Sequence, residues 1–324
     1  PKRLFTTRAG GHAVKVQEAY NEQEEGSFVV REIQRLVSQG ECRPGDVAVM
    51  CRTNAQSRPI EDAFVRFGMP YRLVGATRFY ARKEIKDVLA YLRLIHNPQD
   101  NISLTRIINV PARGIGQKTL TDLSVWAAER GLSLYAGLRR LLREPGADAP
   151  ALAGRARNAL GAFLELLEGW QKGKGELNVL QLLDAVLDES GYARAVRDGT
   201  EEGEDRWANI MELRTVAYAY AGMEPGEGLG QLLEEVALVS DLDDLKEQLD
   251  APTLLTLHMA KGLEFPIVFI VGLEEGIFPH SRSLEDPDEM AEERRLFYVG
   301  VTRAKDRLYL LRAFRRTLYG NEQL

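Results

Sequence analysis

The sequence has little cysteine and little histidine. Two cysteines, Cys42 and Cys51, and four histidines are spread through 324 residues. There is no CxxC pair and no Cys/His spacing of a zinc site, which excludes a disulfide framework and a structural zinc as organising devices. Both thiols are expected to stay reduced. Long apolar runs are missing too. The longest clean one, residues 266–273, suits a buried strand and is far shorter than the roughly 20 residues of a membrane-spanning helix. The opening PKRLFTTRAGG lacks the apolar centre of a signal peptide. A cytoplasmic chain with no membrane partner is the expectation. An excess of positive charge is also missing: 42 Lys and Arg stand against 48 Asp and Glu, a net charge of −6. That argues weakly against nucleic acid, because phosphate neutralisation needs cations. Finally, no phosphate-binding P-loop occurs. GxxxxGK[ST] requires Gly directly before Lys, and the nearest segment, PARGIGQKTL (111–120), puts Gln117 between Gly116 and Lys118. No compact carboxylate motif for a metal occurs either, so no metal site is expected.

What is present is the composition of a globular protein, 44% hydrophobic and 28% charged, with length enough for two domains. Charge is unevenly placed. From Arg52 to Lys86 there are eight basic residues (Arg52, Arg58, Arg66, Arg72, Arg78, Arg82, Lys83, Lys86) and three acidic ones (Glu61, Asp62, Glu84). Acid gathers elsewhere, in EEGED (201–205) and DLDDLKEQLD (241–250). A basic stripe on an acidic protein is compatible with a local phosphate track.

The two ends read differently from the middle. DVAVMC (46–51), MPYRLVG (69–75), TLLTLH (253–258), PIVFIVGL (266–273) and RLYLL (307–311) are strand patterns. Helical periodicity covers 57–67, 83–95 and 289–302, with Ile85, Val88, Leu89, Leu92 and Ile95 on one face of the second. The middle is a series of amphipathic helices, such as 160–170 and 179–188, separated by EPGADAP (144–150) and EPGEGLG (224–230). Neither end has enough strands for a covered parallel sheet, but together they supply about five. The expectation is an α/β fold: one discontinuous parallel-sheet domain from residues 1–97 and 251–324, interrupted by an all-helical insertion, 98–250. Three consecutive small domains is the competing arrangement, and it would leave half-sheets with open edges.

Five segments carry chemistry. In CRTNAQSRPIEDAF (51–64) a polar run joins a strand end to a helix start, where ligands of open α/β sheets gather. Ser57 is read as the helix cap, and Arg52, Asn54 and Arg58 as phosphate contacts; a well-capped loop is the plainer alternative. In GATRFYARKEIKD (75–87), Arg78, Arg82 and the aromatic Phe79 combine charge with a stacking surface, against a reading as core aromatics beside a solvated helix start. In PARGIGQKTL, Gly114 and Gly116 permit a tight hairpin before a helix whose N–H groups suit a phosphate, with Arg113, Lys118 and Thr119 adding contacts; a plain helix–helix turn is the alternative. In TLHMAKGLEFP (256–266), Thr256 and His258 lie two apart at a strand end and share a face, Glu264 can accept from sugar hydroxyls, and Lys261 can steady the loop. In EERRLFYVGVTRAKDRLYL (292–310), Leu296, Val299 and Gly300 are packing positions and Arg303 falls at a helix–strand junction, suited to the γ-phosphate of a neighbour's nucleotide or to a surface pair with Glu292 or Glu293. Glu292, Glu293, Arg294 and Arg295 read first as helix charge pairs.

Taken in order, RTNAQSR, RFYARKEIKDVLAYLRL, NVPARGIGQKTL, TLHMAKGLEFPIVFIVGLEEGIFPHSRS and EERRLFYVGVTRAK resemble the UvrD/PcrA/Rep family of superfamily 1 helicases over essentially the whole chain. The resemblance implies the second RecA-like domain with its helical insertion, the C-terminal half of a 3′→5′ ATP-dependent DNA helicase. It implies that ATP, Mg²⁺ and the P-loop belong to a missing N-terminal RecA-like domain, and that this part alone hydrolyses nothing. It places Glu264 on the ribose and Arg303 on the γ-phosphate. Thr256, His258, Arg52 and the RFYAR stretch fall near single-stranded DNA, and the GIG hairpin near duplex at a single-strand/duplex junction. DNA repair proteins are partners that such a motor implies. Cys51 stands where the family usually has an aromatic residue, and the chain is expected to be a piece trimmed at both ends. The competing function is an ATP-independent DNA-binding or regulatory module, which has no need of an arginine beside a ribose-binding acid. A dinucleotide enzyme is disfavoured because GEGLG (226–230) follows Pro225 rather than a strand.

Overall fold

The computed structural model describes residues 11–144, 146, 149–243, 250–318 and 321–323. Most of the acidic stretch at 241–250 and part of the punctuation at 144–150 therefore lie outside the described residues. Its contacts divide the chain into two compact units, 1–79 with 239–324, and 80–238.

The first unit is built on a parallel sheet. Its strands are β1 (Lys15–Ala19), β2 (Val47–Cys51), β3 (Arg72–Val74), β4 (Thr253–Thr256), β5 (Phe265–Ile270) and β6 (Ala304–Ala313). All adjacent pairs are parallel, in the order β1-β6-β5-β2-β4-β3. Strands from both ends of the chain are interleaved in this order, so neither end could close the sheet alone. A short antiparallel hairpin, β7 (Arg316–Leu318) and β8 (Asn321–Gln323), follows.

Period-two alternation sends successive residues to opposite faces. Val47, Val49, Leu254, Ile267, Phe269 and Tyr309 meet Val29, Ile33 and Leu36 of α1 (Glu22–Ser38) and Ile60 and Phe64 of α2 (Ser57–Arg66). Cys51 joins this layer, its thiol 3.6 Å from the Leu255 carbonyl, so the missing aromatic is a matter of core packing. On the other face Ala48, Met50, Leu255, Val268, Ile270 and Leu308 pack with Leu257, Ala260 and Leu296. Coverage on both faces is why β2 is apolar throughout.

The second unit is helical. It contains α3 (Lys83–His96), α4 (Asn101–Ile107), α5 (Gln117–Ala128), α6 (Leu134–Arg143), α7 (Gly154–Gly173), α8 (Val179–Glu189), α9 (Tyr192–Val196), α10 (Glu201–Tyr218) and the start of α11 (Glu227–Asp243). The expected α/β fold with a helical interruption is therefore present. α3, read from sequence as part of the first sheet segment, groups with the helices. It is buried nearly all round, including Ile85, Val88, Leu89, Tyr91, Leu92 and Ile95, as the central helix of a bundle must be. Its Asp87 is 2% exposed and accepts from Tyr192 Oη at 2.8 Å, with Arg106 Nε also 2.8 Å away.

Two expectations need correction, and two elements were not anticipated. The strand and helix at the N-terminus, β1 and α1, escape a reading by apolar runs because KVQEA is an edge strand with mostly polar, exposed residues. β4 ends at Thr256, so His258 is not on the strand: Met259 N and Ala260 N turn back onto the Thr256 carbonyl at 3.0 and 3.2 Å. Ser57 does not cap α2. Its hydroxyl lies 2.8 Å from the Asn54 carbonyl and 2.5 Å from Glu61 Oε1, so its single hydrogen is directed to these acceptors and not to the helix start. The start is fixed instead by Thr53 and Gln56, with Gln56 Oε1 accepting from Thr53 N at 3.0 Å and Arg52 N at 2.8 Å, the reciprocal box of helix N-termini. The closing helix of the first unit, α12 (Pro287–Val301), lies on the face opposite α1 and α2. Gly300 lets the helix end lie close there: a Cβ would meet Leu257 Cδ2 at 2.4 Å, and that side chain would have to shift.

Candidate functional site

Parallel register fixes which candidates meet. Phe265 pairs with Ala304, so Glu264 and Arg303 enter β5 and β6 side by side at the N-terminal edge of the sheet. Cys51 pairs with Thr256, so Arg52 and Leu257 leave side by side at the opposite edge. With a rise of about 3.3 Å per residue, a six-residue strand separates these edges by roughly 20 Å. Residues 257–264 cross from one edge to the other, with Leu257 and Ala260 buried beneath Leu296 of α12.

At the N-terminal edge, Glu264 keeps 57% of its side chain exposed and lies 3.4 Å from Lys305. Arg303 sits at the end of α12. Nε donates to the Val299 carbonyl at 3.0 Å, Nη1 to the Leu263 carbonyl at 2.9 Å and Nη2 to Thr302 Oγ1 at 3.0 Å. The Arg303 carbonyl accepts from Phe265 N at 2.9 Å. Glu264 is therefore bracketed, with the carbonyl before it and the amide after it both bonded to Arg303. The surface pairing of Arg303 with Glu292 or Glu293 does not occur. Glu292 pairs with Arg295 at 2.6 Å, and Glu293 faces inward. Among the described residues Arg303 has no carboxylate partner in an ion pair.

The C-terminal edge is more selective than the sequence suggested. Glu293 is buried and takes Arg52 by both nitrogens, at 2.8 to 3.1 Å, and also His280 N at 3.0 Å. Arg58 is 7% exposed and donates to Asp62 at 2.7 Å. Phe79 is 1% exposed, and its amide donates to Glu61 Oε2 at 3.1 Å, so it offers no face to a base. In the helical unit Arg82 is buried and donates to Asn209 at 2.7 Å. The physical reason is common to all four: a buried cation or ring must be paired or packed, and these are. Arg52, Arg58 and Arg82 thus drop out of the basic run as surface charges, while Arg66, Arg72, Lys83 and Lys86 stay exposed. His258 is exposed, and Asn54, Thr256 and Arg78 are half-buried; Arg78 lies 5.6 Å from the Tyr71 ring centroid.

In the helical unit, the loop between α4 and α5 forms the expected hairpin. Asn109 Oδ1 accepts from Arg113 N at 2.8 Å and Ile115 N at 3.1 Å. Gly114 adopts φ +78°, open to glycine, while Ile115 is buried as an anchor. Arg113 turns inward. Its guanidinium donates to the Ile107 and Val110 carbonyls at 3.0 and 2.9 Å and to Tyr91 Oη at 2.7 Å, so it braces the hairpin rather than displaying charge. α5 begins at Gly116 with no side-chain cap, beside exposed Lys118 and half-buried Thr119. An uncapped first turn leaves N–H groups for a ligand. Arg155 also reaches the hairpin, its Nε 3.4 Å from where a Cβ on Gly114 would be.

Sequence reasoning missed Glu293, Glu61, Gln56, Asn109, Arg155 and Thr302. Thr53-x-x-Gln56 carries a capping signal; the others hold positions that only the fold reveals. Among the described residues no group of three His, Cys, Asp or Glu is placed to hold a metal, and no helix is long and apolar enough to cross a membrane.

The family model for the UvrD-like helicase C-terminal domain matches residues 2–141 and 162–313. The chain is 42% identical to the ATP-dependent DNA helicase PcrA of Bacillus subtilis over 331 residues, covering all of this chain and 44% of that protein. It is 40% identical to the ATP-dependent DNA helicase UvrD1 of Mycobacterium bovis and 41% identical to PcrA of Staphylococcus aureus, again over all of this chain and 44% of each relative. The chain thus spans less than half the length of these relatives. On these matches and this fold, the chain belongs to the UvrD-like helicase C-terminal domain family.

Proposed function

We propose that the chain is the C-terminal half of an ATP-dependent 3′→5′ DNA helicase or translocase, supplying one wall of a nucleotide cleft whose other wall is a P-loop-bearing domain. The observation that carries this is the placement of Glu264 beside Arg303 at one sheet edge, an exposed carboxylate bracketed by an arginine that has no carboxylate partner among the described residues. An arginine so placed stabilises charge on a γ-phosphate, and a carboxylate accepts from ribose hydroxyls. ATP with Mg²⁺ would be held chiefly by the other half, since the sequence has no P-loop. Direction of travel rests on the family resemblance.

Single-stranded DNA is assigned to the opposite edge, through Asn54, Arg78, Thr256 and His258, with Arg52, Arg58 and Phe79 supporting that surface from beneath. Residues 257–264 link the edges, so closure around nucleotide has a physical route to the strand grip. The hairpin of Gly114, Gly116, Lys118 and Thr119 is assigned to duplex phosphates at a junction. Such contacts position the protein without reading sequence.

Two results test this. The chain alone is expected to show no ATP hydrolysis, and to acquire DNA-stimulated hydrolysis when joined to the P-loop half. Hydrolysis by the chain alone, persisting through repurification, would refute the shared cleft. In the joined protein Lys118→Ala is expected to weaken duplex-junction binding by about three- to tenfold, as for loss of one phosphate contact, with single-strand binding changed less than about twofold. A titration with the opposite pattern removes the hairpin assignment.

A further inference from the structure

We infer that Thr302 is a positioning residue for Arg303, holding its guanidinium in a pre-formed pose at the proposed nucleotide edge. The inference rests on the reading of Arg303 given above and extends it to the residue beside it in the chain, which acts through Arg303.

Thr302 sits at the C-cap of α12. Its hydroxyl donates to the Val299 carbonyl at 2.9 Å, which fixes its rotamer against the last turn. Held this way, Oγ1 presents a lone pair to Arg303 Nη2 at 3.0 Å. Val299 O accepts from Arg303 Nε and Leu263 O from Nη1, so three acceptors grip the three nitrogens of one planar group. A guanidinium has five N–H donors. Three are engaged by these bonds, leaving two, one on each terminal nitrogen. The side chain can therefore keep its frame while offering N–H groups to an incoming oxyanion. Holding donors in place before charge develops avoids reorganisation when it does, which is the largest source of electrostatic assistance in such sites. Two of the three grips are backbone carbonyls that substitution cannot remove. The hydroxyl is the one grip made by a side chain.

The closeness of α12 to the crossing segment serves the same end. Without a side chain at Gly300 the helix end lies against Leu257, which keeps Val299 and Leu263 both within reach of one arginine. Thr302 is half-buried, and its two hydroxyl hydrogen bonds serve the helix end and Arg303.

The test uses the protein joined to its P-loop half, with four variants: Thr302→Val, Thr302→Ser, Arg303→Ala and the double variant Thr302→Val/Arg303→Ala. Thr302→Val is isosteric and loses the hydroxyl. It is expected to lower the kcat for ATP by about tenfold, the scale of one hydrogen bond to a charged group, with KM for ATP changed by less than about twofold. Thr302→Ser keeps the hydroxyl and is expected to stay within about twofold of the parent. In the Arg303→Ala background, Thr302→Val is expected to cause no further loss, because there is nothing left to position. A Thr302→Val enzyme with parental kcat, or a double variant whose losses multiply, overturns the inference while leaving the role of Arg303 intact. A parental kcat for Arg303→Ala overturns both.

Discussion

Arg316→Met is expected to lower the unfolding free energy of the sheet-bearing unit by about 3–5 kcal/mol, the cost of removing one partner from a buried ion pair. Arg316 is 7% exposed. Its Nη2 lies 2.6 Å from Glu25 Oε2 and 2.8 Å from Glu274 Oε1, and Nε donates to Glu274 Oε2 at 3.0 Å. The carboxylates are themselves committed to the backbone: Glu25 Oε1 accepts from Gly272 N at 2.9 Å, and Glu274 Oε1 from Ala313 N at 2.7 Å. The guanidinium thus fastens the ends of β5 and β6 and the first turn of α1. Without it, buried Glu25 and half-buried Glu274 keep their backbone hydrogen bonds but lose the cation between them. At roughly 2–4 °C per kcal/mol for a unit of this size, the shift in midpoint is on the order of 10 °C. All three tryptophans, Trp126, Trp170 and Trp207, are in the helical unit, so hydrogen exchange in β5 and β6 is the suitable reporter.

The same variant carries a pH signature. Burial raises the Glu22 carboxyl above its ordinary range, only partly offset by backbone hydrogen bonds and by Arg316. An acid whose folded pKa is raised binds more protons in the native state, so stability falls as pH rises through that window. Removing Arg316 removes a charge that opposes the shift. The deficit of Arg316→Met is therefore expected to be largest at neutral pH and to shrink as pH falls toward the carboxylate range. A variant within about 1 kcal/mol of the parent at pH 7, or one whose deficit grows on acidification, contradicts this account of the cluster.

The architecture was legible where a local pattern has a single physical solution. VAVMC and PIVFIV are apolar at every position because both faces are covered, and that pattern gave the central strands. The need to cover a half-sheet gave the discontinuous α/β unit. β1 was not legible, since an edge strand with polar exposed positions has no apolar signature. His258 was misplaced by alternation because strand and turn differ here only in where Met259 N and Ala260 N bond. The candidate site divides the same way. Register, a long-range property, brings Glu264 to Arg303 and sends Arg52 to Glu293; sequence offered the residue types without the pairing. Phe79, Arg58, Arg82 and Arg113 carry chemistry suited to DNA, yet burial commits the first three to the interior and hydrogen bonds tie half-buried Arg113 to its own hairpin, and a single sequence gives little indication of which cations are paired.

The second large effect is expected at Arg303. If this edge forms one wall of a nucleotide cleft, Arg303→Ala removes a charge that acts on the γ-phosphate as negative charge builds, an interaction worth about a thousandfold or more in comparable phosphoryl-transfer sites. The side chain also caps the end of α12 through Val299 O. That loss is a matter of about 1 kcal/mol for neutral acceptors near solvent, too small to unfold the unit. The edge proposed to grip single-stranded DNA lies roughly 20 Å away along β5, so on that proposal DNA affinity is expected to be nearly untouched.

The decisive measurement is therefore paired: ATP turnover and single-stranded DNA affinity of Arg303→Ala, in the protein joined to its P-loop half. A fall in kcat of about a thousandfold, with DNA affinity within about twofold of the parent, is what a trans-acting arginine predicts. Parental turnover, or turnover and affinity falling together by the same factor, would show that Arg303 only braces the helix end and that this edge faces no nucleotide.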